Sequence, residues 1–146
     1  MSDMQVSHTM PDIYEVIPVN HNDGLIAGLY PPAQVCTIKI RKESSAAATL
    51  KRGTLLDLSS GTGGDAAYVI HGTSAGSNET LTPGMILAED VTVGTTADAV
   101  AFAYRSGHFV EQKLIVASGG SISAADKETL RGKQILLSDQ INYTAL

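Results

Sequence analysis

Cysteine is all but missing from this chain. Cys36 stands alone, so no internal disulfide can brace the fold. It sits in the apolar run Val35-Cys36-Thr37-Ile38-Lys39-Ile40, where a small buried hydrophobe is the expected role. There is no CxxC pair, and the four histidines (His8, His21, His71, His108) lie far apart with no i, i+4 partner. They read as surface or turn residues, and no metal site is expected. Positive charge is also scarce, with ten Lys and Arg against fifteen Asp and Glu and a net charge of -5. Nucleic-acid binding needs clustered cations, so that partner is excluded. The two basic groupings, Lys39-Arg41-Lys42 and Lys51-Arg52, read as solvated faces.

Catalytic motifs are missing too. Ser59-Ser60-Gly61-Thr62-Gly63-Gly64 looks like a phosphate loop but lacks the Lys-Ser/Thr ending, and no convincing helix follows it. GxGxxG does not occur, and the one G-x-S-x-G match, Gly72-Thr73-Ser74-Ala75-Gly76, falls in a polar loop with no helix after it, so it is not a nucleophile elbow. No base is paired with any serine, so the sequence predicts no enzyme and no cofactor. No apolar run approaches a membrane span. The opening MSDMQVSHTMPD has neither region of a signal peptide. A soluble protein made in a cytoplasm, without a membrane partner, is the expectation.

What is present is short, apolar and strand-like. At 146 residues the chain is one domain with enough length for a sizeable core. Four of the five prolines (Pro11, Pro18, Pro31, Pro32) fall before Ala33. That segment is nonetheless apolar through Ile13, Tyr14, Val16, Ile17, Val19, Leu25, Ile26, Leu29 and Tyr30. Residues 1–33 are therefore expected to form an extended arm outside the core, and 34–146 a β-rich domain. Ile13-Tyr14-Glu15-Val16-Ile17 has strand composition, with Pro18 confining it to an edge. Exposed apolar side chains need a partner, so Ile13, Tyr14, Val16 and Ile17 are the predicted contact residues of the arm.

Strands are predicted over Val35–Ile40, Thr54–Leu58 and Ala66–Ile70, with an exposed loop over Arg41–Thr49, a glycine-rich loop over Ser59–Asp65 and a polar loop over His71–Thr80. The stretch Thr82–Val116 organises the rest. Pro83-Gly84 predicts a turn opening it, and Met85–Ala88 a strand. Val100, Phe102 and Tyr104 alternate with Ala101, Ala103 and Arg105, the period of a two-faced strand. Ser106-Gly107 predicts a tight reversal, with His108–Val116 returning as a hairpin. Apolar residues fall on both strand faces. Glu89-Asp90 is the best carboxylate pair, but neighbours in a strand point to opposite faces. It reads as a solvated strand end, or as a charged contact across an interface. A short helix is predicted over Ser121–Gly132, with Ser123 as N-cap and Asp126 three residues on, and a last strand over Gln134–Ser138. Together these predict a mainly β, barrel-like domain with one short helix and an extended N-terminal arm.

In their order and spacing, GMILAEDV, AVAFAYRSGHFVEQKLIV and LRGKQILLSD resemble the head decoration proteins of tailed phages, of the lambda-like capsid cement kind. The resemblance continues upstream through Asp23–Gly28 and Leu50–Leu56, covering about Asp23 to Ile141. It implies a homotrimer, which would pack the second apolar strand face between subunits, on the outer surface of an expanded capsid at threefold and quasi-threefold positions. There it would bind the major capsid protein and stabilise the shell against packaged DNA, so the virion is the implied location. Two rival classes remain open: another virion β-module, such as a tail-tube subunit or a host-binding decoration, and a trimeric nucleotide hydrolase. The nearest approach to the hydrolase motif is Thr54-Leu55-Leu56-Asp57-Leu58-Ser59-Ser60, which lacks the expected tyrosine.

Overall fold

Consecutive apolar residues in two neighbouring strands set the architecture. Leu55-Leu56 and Ile86-Leu87 are all fully buried, although adjacent strand residues point to opposite faces. Each pair therefore sends one side chain into each of two cores. A computed structural model describes residues 23–139 and shows those cores on the two sides of one barrel wall. Ile13, Tyr14, Val16 and Ile17 lie outside the described residues.

The elements run β1 (Ile26–Gly28), β2 (Gln34–Ile40), β3 (Ala48–Leu50), β4 (Leu55–Ser60), β5 (Tyr68–Ile70), β6 (Thr80–Leu87), β7 (Val91–Val93), β8 (Ala99–Val110), α1 (Ala124–Gly132) and β9 (Ile135–Ser138). The sheet runs β8-β2-β5-β4-β6, and β6 pairs back onto β8, closing a barrel and leaving no free edge among those five strands. Ile38, Ile40, Leu56, Leu87, Ala101 and Ala103 fill its interior, and the two-stranded β3–β7 ribbon adds Leu50 and Val93.

The second core lies outside the wall. Leu55, Ile86 and Tyr104 are covered there by Leu25, Phe109, Leu130 and Ile135, with Phe102, Leu114, Val116 and Ile122 packed around them. The apolar second face expected between subunits is thus covered from within the chain, by α1, β9 and the segment leading into β1. That segment includes Leu25, which belongs to this core although the arm was expected to stay outside it. The same covering explains the sequence pattern: both faces of β4 and β6 need hydrocarbon.

Two predicted turns are instead strand interior. Ser106-Gly107 does not reverse the chain, and β8 continues through it to Val110. Its first half pairs with β2, and its second half lies between β1 and β9. The residues expected to return as a hairpin form the end of β8, a 3-10 turn over Glu111–Lys113, and irregular chain. Pro83-Gly84 lies within β6. There Leu56 pairs with Met85 and Asp57 with Pro83, so Gly84 is the extra residue of a bulge. Bulges are where a strand tolerates proline. Three short strands, β1, β3 and β7, were missed; three residues carry too little periodicity to read.

The helix follows its local signals. Ser123 accepts from the Asp126 amide, and the Asp126 side chain accepts from the Ser123 amide, a complete capping box. Leu130, the only residue of α1 that is fully buried, anchors it on the outer core.

Candidate interaction surface

With both cores filled, the large apolar side chains left facing solvent are few among the described residues. Leu29 is 82% exposed and Tyr30 79%, with Ile26, Val100 and Ile115 less so or elsewhere on the surface. Leu29 and Tyr30 are adjacent, at the end of β1. Their loop is tightly placed. The Ser106 hydroxyl donates to the Pro32 carbonyl at 2.8 Å. A Cβ on Gly28 would stand 2.8 Å from His108 Nδ1, so β1 lies hard against β8. His108 Nε2 in turn lies 2.9 Å from the Ser138 hydroxyl of β9. Two large apolar side chains are thereby held out on a fixed platform, just beyond β1. The sequence placed both in the apolar arm without singling them out; nothing local separates them from Leu25, which is buried.

Glu89 and Asp90 occupy the turn between β6 and β7. Asp90 accepts from the Arg52 amide at 2.8 Å and faces Lys51 Nζ at 3.5 Å, and that amide holds its carboxyl below the usual carboxylate range. Glu89 makes no ion pair or side-chain hydrogen bond among the described residues. The pair is split in role: Asp90 ties its turn to the Lys51-Arg52 turn, and Glu89 is half-buried beside it.

The basic groupings are not simply solvated. The Arg52 side chain is 8% exposed. It donates to Asp23 Oδ2 at 2.8 Å, to the Ala88 carbonyl at 3.2 Å and to the Tyr104 hydroxyl at 2.6 Å. Its guanidinium carbon also lies 5.4 Å from the Tyr104 ring centre. Arg52 thus ties the start of the described chain to the outer core. Arg52→Ala is expected to lower the unfolding free energy by about 2–3 kcal/mol, through the orphaned Tyr104 hydroxyl and the lost cation–π contact. Urea titration checks this, and a change below ~0.5 kcal/mol, the scale of an ordinary surface substitution, would contradict the role assigned.

Arg41 similarly clamps two loops. It bonds Asp65, the Ser59 hydroxyl and Glu79, while Ser59 donates to Glu79. The Arg41 hydrogen bonds bring the Asp65 carboxyl down to about 2. Glu79 also falls to about 2, held first by the Gly76 amide and then by Ser59 and Arg41. The glycine-rich segment is part of this clamp. A Cβ on Gly61 would meet the Asn78 carbonyl at 2.6 Å, and one on Gly64 the Ser60 carbonyl at 2.5 Å. Its glycines serve backbone packing, with no phosphate needed to explain them.

His71, expected at the surface or in a turn, is buried. Its Nδ1 lies 2.8 Å from Asp57 Oδ1. Asp57 is the carboxylate of the segment nearest a nucleotide-hydrolase motif, and burial raises its pKa. It faces the outer core side of the wall and is engaged by the histidine. The partners stand far apart in sequence, so no spacing rule could have found them. Cys36 is half-buried with Sγ 3.8 Å from Met85 Sδ, and burial raises its thiol pKa; a thiol held neutral is a weak nucleophile.

Among the described residues no group of three or more His, Cys, Asp or Glu is placed to hold a metal ion. No helix there is long and apolar enough to cross a membrane. Comparison with known proteins gave no match to a family model and none to a curated protein.

Proposed function

We propose that this protein is a capsid decoration protein, a structural cement without catalytic activity. It acts as a homotrimer on the outer surface of an expanded phage capsid, at threefold and quasi-threefold sites, bound to the major capsid protein. The observation that carries this reading is the exposed Leu29-Tyr30 pair, held just beyond β1 on a barrel whose own cores are filled. Adjacent large hydrophobes fixed in water mark a contact surface. The order of apolar strand segments, similar to that of head decoration proteins, gives the contact its partner.

The physical logic is multivalent. Three arms and three Leu29-Tyr30 platforms from one trimer engage together, so the effective affinity exceeds that of any one contact. The net charge of -5 keeps unbound subunits soluble.

Co-sedimentation with undecorated expanded capsids, beside unexpanded precursors, tests the proposal. Saturable binding to the expanded shell alone is expected. It should weaken at least about tenfold in Leu29→Ser/Tyr30→Ser, the order of two lost apolar anchors in a multivalent contact. A chain starting at Asp23 should weaken as well. Binding to neither shell would overturn the proposal. Sizing adds a check: a discrete trimer is expected, whereas an open-ended polymer would point to a tube subunit.

A further inference from the structure

The outer core is closed by a cover that is fastened at one buried histidine. His71 follows β5 directly. Its amide donates to the Leu55 carbonyl, and its own carbonyl accepts from Ala117 of the chain leading to α1. The ring spans the same junction. Nδ1 faces Asp57 Oδ1 on β4 at 2.8 Å. Nε2 faces the Ser121 carbonyl at 3.0 Å and Asp126 Oδ2, in the first turn of α1, at 3.2 Å.

Each of those partners is an acceptor when the carboxylates are ionised. A neutral imidazole has one N–H and one bare lone pair. With Asp57 ionised, it could satisfy one side of the junction only and would set its lone pair against oxygen on the other. The imidazolium donates on both sides. We propose that His71 is a proton-dependent latch: protonated, it fastens α1 and the chain before it to the barrel wall; deprotonated, it lets that cover open.

The other charged groups at the junction fit this role. Asp57 on β4, Asp126 on α1 and Lys133 just beyond α1 face the site. Burial alone would lower the His71 pKa, but the Asp57 hydrogen bond and charge, with Ser121 and Asp126, raise it. Asp57 is itself raised by burial, and at 2.8 Å from the ring its titration is coupled to that of His71. Loss of the imidazolium proton falls on the α1 side, because the ring hydrogen facing the buried Asp57 carboxylate is the costlier one to give up. Asp126 keeps its bonds to Ser123, so α1 stays a helix while its mooring goes.

The sign follows directly. A histidine pKa raised by folding contributes stability that is full below about 6.5, its ordinary value, and is lost as pH rises through the raised value. The latch is therefore closed in mildly acidic solution and loosens on the alkaline side.

Two measurements on the full chain test this. NMR of the imidazole nitrogens should show His71 titrating above the ordinary histidine value. Amide exchange, corrected for intrinsic rate, should show protection of the α1 amides falling about tenfold between pH 5.5 and 8.5, the factor expected for one charge-assisted hydrogen bond. Amides in the first half of β8 should change little. His71→Gln should flatten the pH response. If that variant fails to fold, Asp126→Asn keeps the cap geometry and should lower the His71 titration. Ser123→Ala should reduce α1 protection equally at both pH values. A His71 that titrates at or below its ordinary value overturns the latch, as does an α1 response that survives His71→Gln.

Discussion

Phe109→Ala is expected to lower the free energy of unfolding by about 3–5 kcal/mol, the range for deleting a fully buried aromatic ring. The ring is 0% exposed and sits in the outer core with Leu25, Leu130 and Ile135. Its centroid lies 5.3 Å from that of Tyr104, tilted by 52°, a geometry that adds to simple burial. Strands hold the site on both flanks: Phe109 pairs with Ile26 of β1 and Leu137 of β9. The surroundings therefore cannot collapse readily into the cavity, which puts the cost toward the upper half of the range. Urea unfolding followed by far-UV circular dichroism measures it. A loss below about 2 kcal/mol would mean that the outer core relaxes around the gap.

Gly107→Ala is expected to cost about 2–3 kcal/mol, and most of that cost should disappear when Phe109 is also alanine. Gly107 has φ +149°, and a Cβ there would stand 2.7 Å from Phe109 Cζ and 2.8 Å from Cε2. The ring is enclosed by the outer core and cannot swing away. In the double variant the ring is absent and only the backbone cost remains. The coupling between the two sites should therefore be at least ~1 kcal/mol, with the double variant more stable than the sum of the single losses implies. Simple additivity would show that the glycine is there for its φ alone.

These two residues also show where sequence reasoning stopped. Ser106-Gly107 carries a good local turn signal, but its glycine answers to a ring two residues away on the same strand. Pro83-Gly84 carries another, and the structure spends it on a bulge opposite Leu56 and Asp57. In both cases tertiary pairing overrides a dipeptide preference. Signals that are complete within a few residues were legible. The run Val35–Ile40 is β2 with one residue added, and Ser123 with Asp126 is the capping box as spaced. The mainly β, barrel-like class with one short helix was legible too, from many short apolar segments and a single capped one.

The site was less legible, for a different reason. Leu25 and Leu29 differ in sequence context by nothing that predicts burial, yet one is in the core and the other in water. What separates them is which residues α1 and β9 happen to cover. Arg41, Arg52 and His71 were read as surface groups because their partners come from distant elements: Glu79, Tyr104 and Asp126. No local pattern along the chain carries a trace of such pairs.

The two-sided wall has a consequence for synthesis. As the chain leaves the ribosome in order, β8 emerges after β2, β4, β5 and β6, so the barrel can close as soon as Val110 is free. Leu130 and Ile135 follow later. During that interval Leu55, Ile86, Phe102 and Tyr104 form a greasy patch on a finished barrel, open to chaperones and to neighbouring nascent chains alike. Crowded translation would put many such half-covered barrels side by side.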